Sequence, residues 1–155
     1  MSLSTVRLES QAVTLSPVVS STDAVFRQLA EMASDAYGLE PELVLNGLTQ
    51  RESLGSTGFG HGVAIPHAKI DGLEQCVGLF TRLERPLAFA AHDGQPVDLV
   101  FGLLSPLQGG ADHLKALAEI SRFLRDAETV TKLRGADNAD ALYVLLTGLR
   151  EQQAA

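Results

Sequence analysis

The run Val97 to Leu104, VDLVFGLL, constrains the fold of this chain most. Only Asp98 interrupts its apolar character, so it lacks the strict alternation of a strand with one face in water. It reads as a buried strand, closed by Ser105-Pro106. Such a strand has to be covered, and the flanking sequence offers helices to cover it. Ser21-Thr22-Asp23 supplies caps for a helix from Ala24 to Tyr37, with Val25, Phe26, Leu29, Met32, Ala33 and Ala36 on one face and Gly38 as terminator. Pro41 suits the first turn of a second helix reaching about Glu52, with Leu43, Val44 and Leu48 apolar. Asp112 is a candidate cap for a third, in which Leu114, Leu117, Ala118, Ser121 and Leu124 recur at helical spacing. A shorter helix from Ala127 to Leu133 ends at Gly135, and Asp137 or Asn138 caps a last one lined by Leu142, Leu145, Leu146 and Leu149. Val13 to Leu15 and Cys76 to Leu83 read as further strands, residues 1–12 as irregular. The expected class is a single α/β domain, helices covering a sheet; strand order is not readable.

Length and composition exclude several alternatives. A chain of 155 residues fits one domain with a true core. No apolar run approaches the roughly 18 residues that span a bilayer, and MSLSTVRLES has no apolar stretch of the secretory kind. Cys76 is the single cysteine, which rules out an internal disulfide and suits a reducing, cytoplasmic setting. Asp and Glu outnumber Lys and Arg by 19 to 12, a formal net charge of −7. That balance argues against nucleic acid and anionic membrane as partners.

The chemistry concentrates between Arg51 and Ala68, in RESLGSTGFGHGVAIPHA. The part from Gly55 to Gly62 holds four glycines and reads as irregular backbone. Glycine N–H groups there offer an anion-binding nest, Ser56 and Thr57 add hydroxyls, and Arg51 adds a permanently charged fork for phosphate oxygens. Pro66 stiffens the approach to His67. An imidazole among anion donors is a phosphoryl acceptor in the making. Better-known motifs fail: after Gly55-x4-Gly60 stands His61 where a P-loop needs Lys, Leu54 spoils the nucleophile elbow before Gly55-Ser56, and Val63 spoils a dinucleotide fingerprint beginning at Gly58.

The run STGFGHGVAIPHAK, preceded by Arg51-Glu52, resembles the active-site signature of the fructose/mannitol-type enzyme IIA family of the bacterial phosphotransferase system. Later blocks match in order: Pro86 to Phe89, Asp93 to Phe101, and Asp112-His113-Leu114. The resemblance extends over about Val13 to Leu149 and is strongest to the nitrogen-related regulatory branch. It implies an α/β sandwich with a mixed sheet between helices and phosphorylation of His67, through Nε2, by an HPr-like phosphocarrier. It carries the family's second active-site histidine onto His113 and its arginine onto Arg51. For the recipient it implies a regulatory target such as a sensor kinase or a potassium transporter, or alternatively a IIB domain in fructose/mannitol-type sugar uptake. His61 departs from the small polar residue typical of the branch, a departure that does not touch the acceptor.

The expected reaction needs no metal or cofactor, because the phosphoryl group passes between nitrogen atoms. Neutral His67 attacks phosphorus, His113 steadies the ring or donates to a phosphoryl oxygen, and Arg51 with Ser56 and Thr57 completes the anion site. Apart from the resemblance, each residue has a plainer reading. His67 is then a structural histidine, His113 a capping or surface one, and Arg51 a solvated helix-end charge. Ser56 and Thr57 are turn formers, and His92 is an exposed turn residue. Two other classes remain: metal binding by His61, His67 and His113, weak without paired cysteines, and a non-catalytic interaction module.

Overall fold

The computed structural model describes residues 3–16, 19–89 and 94–148; His92 and Leu149 lie outside them. The sheet is built around β6 (Val97–Pro106). Along one edge β6 runs antiparallel to β5 (Val77–Leu87), with Phe80 opposite Phe101, and β1 (Val13–Ser16) lies parallel beyond β5. Along the other edge it pairs in parallel with β3 (Val63–Ala64) and then β4 (His67–Ile70). Val63 faces Leu99 and His67 faces Leu103, so the register is unbroken between these two strands. The interruption is Ile65-Pro66: Pro66 accepts from Leu103 N–H at 2.9 Å but has no N–H to return. β2 (Gly58–Gly60) folds back antiparallel on β3 through a bulged register. The sheet is therefore mixed, in the order β1-β5-β6-β3-β2 with β4 also on β6.

Helices cover both faces. α1 (Thr22–Tyr37) starts where Ser21 Oγ accepts from Ala24 N–H and stops at Gly38, whose φ of 69° few side chains tolerate. α1 and α2 (Pro41–Ser53) lie on one face: Leu29 of α1 lies over Gly102, and Gly47 of α2 sits against Ala68 and Ile70. Alternation then sends Leu99, Phe101, Leu103 and Ser105 of β6, with His67 and Lys69 of β4, to the opposite face. There lie α3 (Gly110–Arg125), α4 (Ala127–Gly135) and α5 (Ala139–Thr147). Arg82 projects to the same side and donates to the carbonyls of Leu133, Arg134 and Ala136 at the end of α4. Leu99, Val100, Phe101, Leu103 and Leu104 are completely buried, as the apolar run requires.

Four expectations need correction. Gly58–Gly60 is a strand, because the β3 edge supplies partners that glycine's own propensity does not. Residues 1–12 are not wholly irregular: Arg7 pairs with Val77, and Ser10–Ala12 forms a 3-10 turn. β5 runs on to Leu87. α3 begins after Gly109 rather than at Asp112, and its inner face is His113, Ala116, Ile120, Phe123 and Leu124, while Leu114 is 68% exposed. The helix is turned so that a histidine enters the interior, and the apolar stripe follows from that.

Gly62 shows how tightly the turn before β3 is held. Its φ is +81°, and a Cβ there would collide with Arg134 Nη2. That guanidinium is engaged on Asp98 at 2.8 and 3.0 Å and on the His61 carbonyl at 2.8 Å. Gly62→Ala is expected to destabilise the protein by about 1–3 kcal/mol, through backbone strain and loss of these contacts. Urea unfolding with an unchanged m-value measures it; unaltered stability contradicts this account.

Candidate phosphoryl site

Three side chains from separate elements meet at one cleft. His67 opens β4, Arg51 stands in the last turn of α2, and His113 is in the first turns of α3. Arg51 Nε donates to His67 Nε2 at 3.2 Å. A guanidinium is always protonated, so Nε2 must be the acceptor and hold the lone pair. His67 Nδ1 lies 2.8 Å from the Ile65 carbonyl, which only accepts, so the ring proton is on Nδ1. The break in the strand at Ile65-Pro66 leaves that carbonyl available. The His67 and His113 ring centroids are 5.5 Å apart, the rings inclined at 54°. Gly47, Gln50, Leu54, Ala68 and Lys69 complete the lining of the cleft.

Electrostatics keep both rings neutral. Burial lowers the pKa of His67 below the ordinary histidine value; the Arg51 charge lowers it further, while the Ile65 hydrogen bond and Glu52 oppose. His113 is lowered by burial, then by His67 and Lys69. As pH falls below about 6.5, the unfolded chain takes up protons that the folded rings resist. Stability from these groups is therefore complete above that value and is lost as pH falls through the window down to the folded pKa values. An NMR titration of the ring protons is expected to place the His67 midpoint below that of a free histidine, and Arg51→Ala to move it upward. A midpoint unmoved by Arg51→Ala contradicts the contact.

The remaining sequence candidates are placed elsewhere. The Ser56 hydroxyl donates to the Phe89 carbonyl. Thr57 is buried, and its N–H and hydroxyl both donate to the Glu52 carboxylate. Ser56 also accepts from Gly58 N–H at 3.0 Å, so these groups shape the hairpin and do not line the cleft. His61 lies on a separate concavity with Gly62, Asp98 and Arg134, and has a positive φ of 56°. Among the described residues no three His, Cys, Asp or Glu side chains are placed to hold a metal ion. No described helix is long and apolar enough to cross a membrane. Lys69 was missed: two residues past His67 on a strand, it shares the imidazole's face, a signal readable only once β4 is recognised.

Residues 7–148 match the model of the family described as phosphoenolpyruvate-dependent sugar phosphotransferase system, EIIA 2. A nitrogen regulatory protein of Bradyrhizobium diazoefficiens is 51% identical over 128 residues, covering 83% of this chain and 84% of that protein. The nitrogen regulatory protein of Escherichia coli K12 is 40% identical over 120 residues, 77% of this chain and 74% of that one. The crystal structure of the nitrogen regulatory protein IIA-Ntr from Neisseria meningitidis superposes with a TM-score of 0.82 at 32% identity, covering 90% of this chain and 96% of that one.

Proposed function

The chain belongs to the EIIA type 2 family of the phosphoenolpyruvate-dependent sugar phosphotransferase system, and from that premise we propose that it is a phosphoryl carrier loaded on His67 Nε2 in a nitrogen-related regulatory relay. The observation that carries the reading is the tautomer. A backbone carbonyl holds the proton on Nδ1, so the lone pair of Nε2 faces the cleft beside a fixed cation. In the transfer, Nε2 forms a bond to phosphorus as the nitrogen–phosphorus bond of an HPr-like carrier's phosphohistidine breaks, its electron pair returning to the carrier's ring. The Arg51 guanidinium moves from Nε2 onto a phosphoryl oxygen, neutral His113 donates a hydrogen bond to another, and the Lys69 ammonium offsets further negative charge. With Nδ1 still protonated, the product imidazole is cationic, which weakens the new nitrogen–phosphorus bond and favours onward transfer.

The rim is consistent with a protein donor. Leu54, 83% exposed, lines the cleft, and exposed Leu107 and Leu114 lie on the turn and helix that carry His113. A carrier covering such apolar side chains excludes water from the reacting groups. The regulatory reading is preferred to sugar uptake because of the likeness to nitrogen regulatory proteins; a phosphoryl group adds about −1.5 to −2 charges at the rim, enough to bias binding of a target protein. Incubation with phosphoenolpyruvate, the enzyme I kinase and the carrier, followed by mass-spectrometric mapping, tests the proposal. An acid-labile phosphate on His67 is expected. Stoichiometric labelling elsewhere, or none, rejects it.

A further inference from the structure

We propose that Ser105 is a positioning residue for phosphoryl transfer, its buried hydroxyl donating to His113 Nδ1 and so holding His113 as the tautomer whose Nε2–H faces the phosphoryl site. The inference rests on the reading of His67 as acceptor and adds to it a residue outside the cleft.

Ser105 occupies the position on β6 opposite Lys69 of β4, on the face that also carries Leu99, Phe101 and Leu103. Those neighbours are apolar and fully buried, and Ser105 is fully buried too. A hydroxyl is disfavoured there unless it is hydrogen-bonded, so its partners are informative. Ser105 Oγ lies 2.7 Å from His113 Nδ1 and accepts from the thiol of Cys76 at 3.4 Å. Among the described residues these are its two partners. With the thiol proton directed at the oxygen, the hydroxyl's own hydrogen points to Nδ1. The reverse arrangement would direct that hydrogen to a thiol sulfur, a weak acceptor, in place of a ring nitrogen, a good one.

An Nδ1 that accepts cannot carry the proton of a neutral ring. The proton is then on Nε2, on the side of the imidazole away from Ser105. His113 lines the same cleft as His67, Arg51 and Lys69. A phosphoryl oxygen there needs a donor, and a lone pair in its place would repel it. Burial, which keeps His113 neutral, makes the choice of tautomer matter, because a neutral imidazole has only one N–H to offer. The two histidines of the cleft thus hold opposite tautomers, each set from behind: Ile65 by its carbonyl, Ser105 by its hydroxyl. The turning of α3 that buries His113 serves this contact.

Nitrogen-15 NMR of the histidine rings in the unmodified protein tests the tautomer directly. Neutral His113 is expected to carry its proton on Nε2; a proton on Nδ1 overturns the proposal and requires no variant. Single-turnover transfer from the phosphorylated carrier tests the role. Ser105→Ala is expected to slow transfer at saturating carrier by about 10- to 100-fold, the usual effect of losing a group that orients a functional histidine. Half-saturation should stay unchanged, and Ser105→Thr, which keeps the hydroxyl, should recover most of the rate. In a His113→Gln background, Ser105→Ala should add nothing. Equal slowing in both backgrounds indicates a general structural effect and overturns the proposal, as does a wild-type rate in Ser105→Ala. Absence of label on the wild-type protein defeats the phosphocarrier reading instead, and the tautomer measurement still judges Ser105.

Discussion

His67→Ala is expected to leave the protein unlabelled when phosphoenolpyruvate, the enzyme I kinase and the HPr-like carrier are supplied, while the domain folds normally. Removing the imidazole removes the nucleophilic nitrogen lone pair from the cleft, since the Arg51 and Lys69 side chains are cationic, the Gln50 amide is a poor nucleophile and the proposed tautomer of His113 offers a proton. The side chain is half-buried at the start of an edge strand, so its truncation opens the cleft and leaves no closed cavity. Stability should change little, by about 1 kcal/mol or less, within the range of substitutions outside a packed core. The decisive measurement is intact mass before and after incubation, with circular dichroism as the fold control. A stoichiometric phosphate on the folded variant assigns the acceptor elsewhere, with His113 the first place to look.

Arg51→Ala should slow transfer by about 10²–10³, the typical loss when an oriented charged donor to a transition state is removed. The guanidinium makes two contacts, Nε to His67 Nε2 and Nη1 to the Gly55 carbonyl at 3.0 Å. The second fixes the fork while the first is exchanged for a phosphoryl oxygen. Arg51→Lys restores the charge but provides neither the planar fork nor two simultaneous bonds, and should recover only part of the rate. Rapid-quench kinetics at saturating carrier separates this effect from weakened docking. A wild-type rate for Arg51→Ala reduces the residue to a helix-end charge that happens to lie near the ring.

Parts of this architecture are written locally in the chain. Ser21 and Gly38 bracket α1, Asn138 caps α5 by accepting from Ala141 N–H, and the β6 run announces its own burial. Other parts are set by neighbours. β2, β3 and β4 are two to four residues long and contain Gly, His and Lys, so no propensity marks them; their partners on β6 and on one another do. Without β4, the shared face of His67 and Lys69 is invisible. α3 misleads because its periodicity, begun at Leu114, sets a 68% exposed leucine on the apolar stripe, whereas the buried face begins one residue earlier at His113, which meets Ser105 Oγ at 2.7 Å. Three of the candidate residues, His67, His113 and Arg51, are brought together by the fold. Ser56 and Thr57 sit beside them in sequence, yet the hairpin uses their hydroxyls for Phe89 and Glu52.

The unbroken register along β6 makes the segment intolerant of changes in length. In a strand, neighbours point to opposite faces, and a slip of one residue exchanges them. His67 faces the cleft and Ala68 faces Gly47 of α2, where a Cβ on that glycine would already lie 3.1 Å from the alanine's own. Inserting or deleting one residue between Gly62 and Pro66 would aim the imidazole at α2, where there is no room for it, and present alanine to an incoming phosphoryl group. This stretch can diverge by substitution, but its reading frame against β6 is part of the proposed phosphoryl site.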